Sequence, residues 1–184
     1  MINYGKQLIE QDDIDAVEAV LKSDFLTQGP VVLQFEKALA AECGAMYAVC
    51  FSSGTAALHG AYSAAGLSKG DSFITSPMSF AATANAGLYL GAEPVFSDIE
   101  KDTGNLDARY LEDKITSDVK AIVPVHYAGH PCDMQEINRI AEEYGLTIIE
   151  DACHALGSYY NDIKTGLCEY SSMAVFSFHP VKHI

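Results

Sequence analysis

The chain has 184 residues, 49% hydrophobic and 20% charged, a composition that excludes disorder and allows one domain with a sizeable core. Its formal charge is −14, from 11 Lys and Arg against 25 Asp and Glu, which argues against nucleic acid or an anionic membrane surface as the main partner. A small phosphorylated ligand stays open, because backbone N–H groups can bind phosphate in an acidic protein.

The five cysteines, Cys43, Cys50, Cys132, Cys153 and Cys168, are odd in number and lack a Cys-x-x-Cys spacing. There is no apolar run of signal length and none near the ~18 residues of a membrane span. The chain therefore reads as cytoplasmic, with reduced thiols.

In chain order, residues 11–22 predict a helix capped by Asp12 or Asp13, with Ile14, Val17, Val20 and Leu21 as its apolar stripe. After a loop at 23–29, Pro30 suits the first turn of a second helix, with Val32, Phe35 and Leu39 on one face and Gly44 as its stop. Residues 46–51 are apolar and predict a buried strand. Ser52-Ser53-Gly54-Thr55-Ala56-Ala57-Leu58 is a small-residue turn that opens a helix to about Ala65. A strand at 72–76, an alanine-rich helix at 78–90 closed by Gly91, a strand at 93–99, a helix at 107–115 and a strand at 120–125 follow. The loop at 126–131 leads to a helix from the Asp133 cap to Tyr144, stopped by Gly145. Apolar strands at 146–151 and 172–178 complete the reading. Strands alternating with helices predict an α/β fold, a mostly parallel or mixed sheet with flanking helices, and no internal domain boundary.

Three features carry chemistry. The strand at 146–151 ends in Glu150-Asp151, and the strand at 172–178 runs into His179-Pro180-Val181-Lys182. An acid and a lysine at the ends of parallel strands can meet at one sheet edge, where open α/β folds bind ligands. A lysine among apolar neighbours becomes a nucleophile, although Lys182 also reads as a surface lysine. Ser53-Gly54-Thr55-Ala56-Ala57, between an apolar run and a helix, is either a tight turn or an anion cradle at a helix N-terminus. Phe80 reads as core or as a stacking platform, and His154 as structural or catalytic.

Two rival patterns fail on context. Gly66-Leu67-Ser68-Lys69-Gly70 has the Gly-x-Ser-x-Gly spacing of a nucleophile elbow, but a helix precedes it and a strand follows, the reverse of what that turn needs. His126, His130, Cys132, Cys153 and His154 fit no common zinc spacing, so no metal is expected.

Taken together, five stretches resemble the DegT/DnrJ/StrS nucleotide-sugar aminotransferases, a group of fold-type I pyridoxal-phosphate enzymes. They are Leu26-Thr27-Gln28-Gly29-Pro30, Ser53-Gly54-Thr55-Ala56-Ala57, Ser76-Pro77-Met78-Ser79-Phe80-Ala81-Ala82-Thr83-Ala84-Asn85, Glu150-Asp151-Ala152-Cys153-His154-Ala155-Leu156-Gly157 and Phe176-Ser177-Phe178-His179-Pro180-Val181-Lys182. Phe80 and His154 look most like the branch that aminates a 4-keto sugar on the route to pseudaminic acid.

The resemblance implies roles. Lys182 would be the catalytic Schiff-base lysine for pyridoxal 5'-phosphate, and Asp151 would pair with the ring nitrogen. Gly54, Thr55, Ala56 and Ser177 would hold the phosphate, Phe80 would stack on the ring, and His154 would sit near the phenolic oxygen. Tyr4, Asp24, Phe25, Leu26 and Thr27 would contact a nucleotide sugar. The implied reaction moves an amine from glutamate to the 4-keto carbon of a UDP-linked 6-deoxy-N-acetylhexosamine, in a homodimer with shared sites.

Relatives that remove a sugar hydroxyl instead typically carry histidine in place of the lysine, so Lys182 favours transamination over dehydration. Members of the group are also substantially longer. The chain is therefore expected to be the N-terminal portion of the cofactor-binding large domain, ending just after the lysine. Alone it is expected to be inactive, with a non-catalytic association module as the alternative. Neither of its two arginines, Arg109 and Arg139, lies in a matched stretch.

Overall fold

The computed structural model describes residues 7–182, and its centre is a five-stranded sheet built from the apolar runs of the sequence. The strands are β1 (Ser72–Thr75), β2 (Glu93–Phe96), β3 (Val119–Val123), β4 (Thr147–Asp151) and β7 (Met173–Val175), in spatial order β2-β1-β3-β4-β7. Every ladder in this sheet is parallel, so the C-terminal ends of the five strands share one edge.

Alternation along the strands sorts the core into two layers, as the two-residue period of a strand requires. Phe73, Ala121, Val123, Ile149 and Val175 pack on one face against α3 (Gly54–Ala64) and α4 (Ala82–Leu88). Ile74, Ile122 and Ile148 pack on the other against Ile137 and Ile140 of α5 (Met134–Tyr144). That helix is fixed at both ends. The Asp133 carboxylate accepts the Glu136 N–H at 3.3 Å, and Gly145 takes a left-handed conformation at φ 66°. Its outer face carries Arg139, paired with Glu112, Glu136 and Glu143.

Several expectations are corrected. Residues 46–51 are not a buried strand: Met46, Tyr47 and Val49 are 83%, 80% and 70% exposed, and no strand among the described residues pairs with them. Apolar content alone selects a strand only where a neighbour completes its hydrogen bonds. The span 107–115 forms two 3₁₀ turns, Ala108–Tyr110 and Glu112–Lys114, because the Asp107 side chain accepts the Arg109 N–H and tightens the chain there. The helix expected at 78–90 is the shorter α4, since Ser76 Oγ holds the Met78 N–H in a turn before it.

The first helix, α1 (Gln11–Leu21), is capped by Glu10 rather than Asp12 or Asp13, although Asp13 accepts the Glu10 N–H at 2.9 Å. Its apolar stripe is open, with Ile14, Val17 and Leu21 all at least half exposed. The second helix, α2 (Pro30–Cys43), starts at the proline and stops at left-handed Gly44 as expected. A hairpin of β5 (Tyr159–Tyr160) and β6 (Ile163–Lys164) was not expected. Its signal was Asn161-Asp162, both at positive φ, the two residues a tight hairpin turn favours.

Candidate active site

The two acids at the end of β4 face opposite sides of the sheet. Glu150 points to the α5 side, where Oε2 receives His126 Nε2 at 2.7 Å and Oε1 receives the Ser171 hydroxyl at 2.5 Å. His126 Nδ1 accepts the Cys132 N–H at 3.2 Å, so Nε2 carries the ring hydrogen and donates it to Glu150. Asp151 points to the α3 and α4 side and is 5% exposed. Its Oδ2 receives the Thr83 hydroxyl at 2.6 Å, and its Oδ1 the Cys153 N–H at 3.3 Å. Two backbone bonds, His126 N to Asp151 O and Asp151 N to Pro124 O, extend the pairing of the β3 and β4 ends and fix the acid's position.

The N-terminus of α3 approaches the same edge. Ser53 caps it, accepting the Ala56 N–H at 3.1 Å, while a helix start leaves its first N–H groups without intrahelical partners. Gly54 permits a close approach: a Cβ there would lie 3.2 Å from Ser177 Cβ and 3.4 Å from Cys153 Sγ. Ser177 itself is buried just past β7. Gly54, at the helix start, and Ser177 thus stand side by side. The Ala56 N–H is already occupied by the cap.

Lys182 is half-buried rather than enclosed by apolar side chains, and its Nζ lies 2.5 Å from His154 Nε2. Cys153 bonds Asp151 Oδ1 through its N–H and sets its thiol beside Gly54. Burial pushes its pKa up, the Asp151 carboxylate adds to that, and the Lys182 charge opposes it. Tyr62, fully buried, is likewise pushed up by burial and then by Asp151, and its hydroxyl donates to the Thr83 carbonyl at 2.8 Å. The structure therefore sets Gly54 and Ser177 against Cys153, whose N–H bonds Asp151, and pairs Lys182 with His154.

Phe80 and residues 24–27 are exposed. Phe80 is 74% exposed, one turn before Thr83. Asp24, Phe25, Leu26 and Thr27 form an exposed loop between α1 and α2. Tyr4 lies outside the described residues. Thr83 and Tyr62 had no role in the sequence reading, and Cys153 was weighed only as a zinc ligand; nothing in the spacing of a lone threonine, thiol or tyrosine marks it. Both arginines are engaged, Arg109 with Asp107 and Arg139 with three glutamates.

A sequence model of the DegT/DnrJ/EryC1/StrS aminotransferase family matches residues 7–184. The chain belongs to that family. Within it, the chain is 44% identical over 187 residues to the UDP-4-amino-4,6-dideoxy-N-acetyl-beta-L-altrosamine transaminase of Campylobacter jejuni, covering 100% of this chain and 49% of that protein. Among solved structures it is similar to Helicobacter pylori PseC, an aminotransferase involved in the biosynthesis of pseudoaminic acid, at 38% identity and a TM-score of 0.91, covering 98% of this chain and 48% of that one. NtdA of Bacillus subtilis, solved with its cofactor PMP bound, matches at 37% identity and a TM-score of 0.87, covering 95% of this chain and 40% of that one. The chain spans about half the length of the DegT/DnrJ/EryC1/StrS relatives it matches.

Proposed function

We propose that the chain is the cofactor-binding part of a pyridoxal-phosphate-dependent aminotransferase. It would transfer an amine from glutamate to a UDP-linked 4-keto-6-deoxy-N-acetylhexosamine. The observation that supports this reading is that Gly54 and Ser177 lie against Cys153, whose N–H bonds Asp151, while Lys182 pairs with His154 just beyond the same β7 and β4 ends. The donor set fits the group: a cradle for a phosphate, an acid for a ring nitrogen and an amine for an aldehyde. The named activities of the Campylobacter and Helicobacter proteins support the sugar and the pathway.

When bound, pyridoxal phosphate supplies an aldehyde that bonds an amine and a ring that accepts electrons from the adjoining carbon. The residues divide the remaining work. Gly54 and Thr55 N–H groups, with the Thr55 and Ser177 hydroxyls, would hold the phosphate. Asp151 would keep the ring nitrogen protonated, and Phe80 would cover a ring face. Lys182 Nζ would anchor the cofactor and afterwards carry a proton, with His154 Nε2 beside it to steady the amine or share that proton. The segment 24–27 and Tyr4 would meet the nucleotide sugar. The donor's carboxylate needs a cation other than Arg109 or Arg139, both of which are held by acids. A homodimer with shared sites belongs to the same reading.

The test is optical and by mass. Mixing the chain with pyridoxal phosphate is expected to give a near-visible absorbance band. Borohydride is then expected to fix one cofactor mass on the peptide carrying Lys182, and Lys182→Ala to abolish both signals. A label on another lysine would overturn the assignment.

A further inference from the structure

We propose that Thr83 is a positioning residue: its hydroxyl holds the Asp151 carboxylate in place for the cofactor's ring nitrogen, with Ser79 as a second link behind it. The inference rests on the cofactor reading above. Thr83 is 1% exposed, and its Oγ1 lies 2.6 Å from Asp151 Oδ2. A carboxylate has no hydrogen to give, so the threonine donates. Its only hydroxyl hydrogen is then spent, and the Phe80 carbonyl at 3.2 Å is the longer, losing competitor. Ser79 Oγ, 2.5 Å from Thr83 Oγ1, donates to a threonine lone pair, so the order runs Ser79 to Thr83 to Asp151.

The threonine is itself fixed. Its N–H donates to the Phe80 carbonyl at 3.1 Å, and its carbonyl accepts the buried Tyr62 hydroxyl at 2.8 Å. On the acid, Oδ1 has the longer Cys153 N–H contact at 3.3 Å, so the short bond to Thr83 sets the plane of the carboxylate and leaves Oδ1 with acceptor capacity for a ligand. The same three residues tie the turn bearing Phe80 to the acid, so the stacking side chain and the ring-nitrogen partner share one support.

Two near-isosteric changes separate hydroxyl from packing. Thr83→Val keeps the shape and removes the donor; Thr83→Ser keeps the donor and removes a methyl. Affinity is measured by absorbance titration with two probes, pyridoxal phosphate and its 1-deaza analogue, in which a C–H replaces the ring nitrogen and Asp151 has nothing to pair. Thr83→Val is expected to weaken pyridoxal phosphate about tenfold, the worth of one charge-assisted hydrogen bond, and to leave the deaza probe unchanged. Thr83→Ser is expected to bind both as the parent chain does. Equal losses for the two probes, or no loss in Thr83→Val, would overturn the proposal while leaving the cofactor reading intact. Failure of the parent chain to bind pyridoxal phosphate would overturn both. If circular dichroism shows Thr83→Val unfolded, Ser79→Ala decides: a smaller selective loss for pyridoxal phosphate supports the relay, and an unchanged ratio between the probes sinks it.

Discussion

Glu150 and Asp151 are neighbours of the same chemical type, yet the pleat sends them to different tasks. Asp151 meets Thr83 on the α3 and α4 side, while Glu150 closes a buried pair with His126 on the other. His126 is fully buried and Glu150 nearly so, so removing one partner leaves the other's polar groups unsatisfied in the core. His126→Ala is expected to cost about 3–5 kcal/mol, measured by urea unfolding; a cost below about 1 kcal/mol would mean the pair is solvated. Gly54 is a second residue whose identity is dictated by space. Gly54→Ala puts a methyl 3.2 Å from Ser177 Cβ, so one of the two must give way. The helix start tolerates alanine, so the melting temperature is expected to change little. Pyridoxal phosphate affinity is expected to fall roughly tenfold, which titration would read.

Helices α3 and α4 lie close enough to the sheet that glycines mark the contact. In α4, a Cβ at Gly87 would overlap Cε1 of Phe73 and lie 2.6 Å from its Cζ, on a core ring with no exposure and nowhere to move. In α3, a Cβ at Gly60 would also lie 2.6 Å from a ring carbon, but of Phe51, which is half exposed and can swing away. Gly87→Ala is therefore expected to destabilise by about 1–3 kcal/mol through overpacking. Gly60→Ala is expected to be neutral or to gain up to about 1 kcal/mol of helix propensity. Paired thermal melts decide, and equal effects would mean that Phe51 is held as firmly as Phe73. This difference also explains what the sequence could tell. Strands β1, β3 and β4, the helix opening after Ser53, the cap at Asp133 and the stops at Gly44 and Gly145 were legible because each follows from local chemistry. Asp151 and Lys182 were legible as candidates because each follows from a strand end, and β4 and β7 are parallel neighbours. The fate of residues 46–51 was not, because burial depends on a partner that local pattern does not contain. Thr83 was not, because its importance comes from a residue 68 positions away.

At the scale of the whole molecule, an acidic chain with few cations depends on where its carboxylates find partners. The Arg109 side chain donates to both oxygens of Asp107 and holds that carboxyl below the usual carboxylate range. A depressed folded pKa means that the unfolded chain binds the proton first as pH falls. The stabilisation is present above the unfolded value of about 4 and is lost as pH falls through the folded value. Arg109→Gln is expected to melt lower than the parent chain at pH 7, with the gap narrowing below about pH 4; a gap that stays constant into acid would show that the pair contributes through packing alone. On the alkaline side the sign reverses. Burial, and then the hydrogen bond to Asp133 at 2.5 Å, pushes Tyr160 up to about 12. The folded chain then keeps a proton that the unfolded chain loses near pH ~10. Stability attributable to Tyr160 is therefore complete below about pH 10 and drains away as pH rises towards 12. Tyr160 sits on the hairpin β5–β6 and bonds the cap of α5, so its ionisation would loosen two elements at once. Tyr160→Phe lacks both the bond and the titration. It is expected to unfold more easily than the parent at pH 8 and to lose less stability between pH 10 and 12, as followed by urea midpoints at each pH. Parallel curves for the two chains would show that another group governs the alkaline limb.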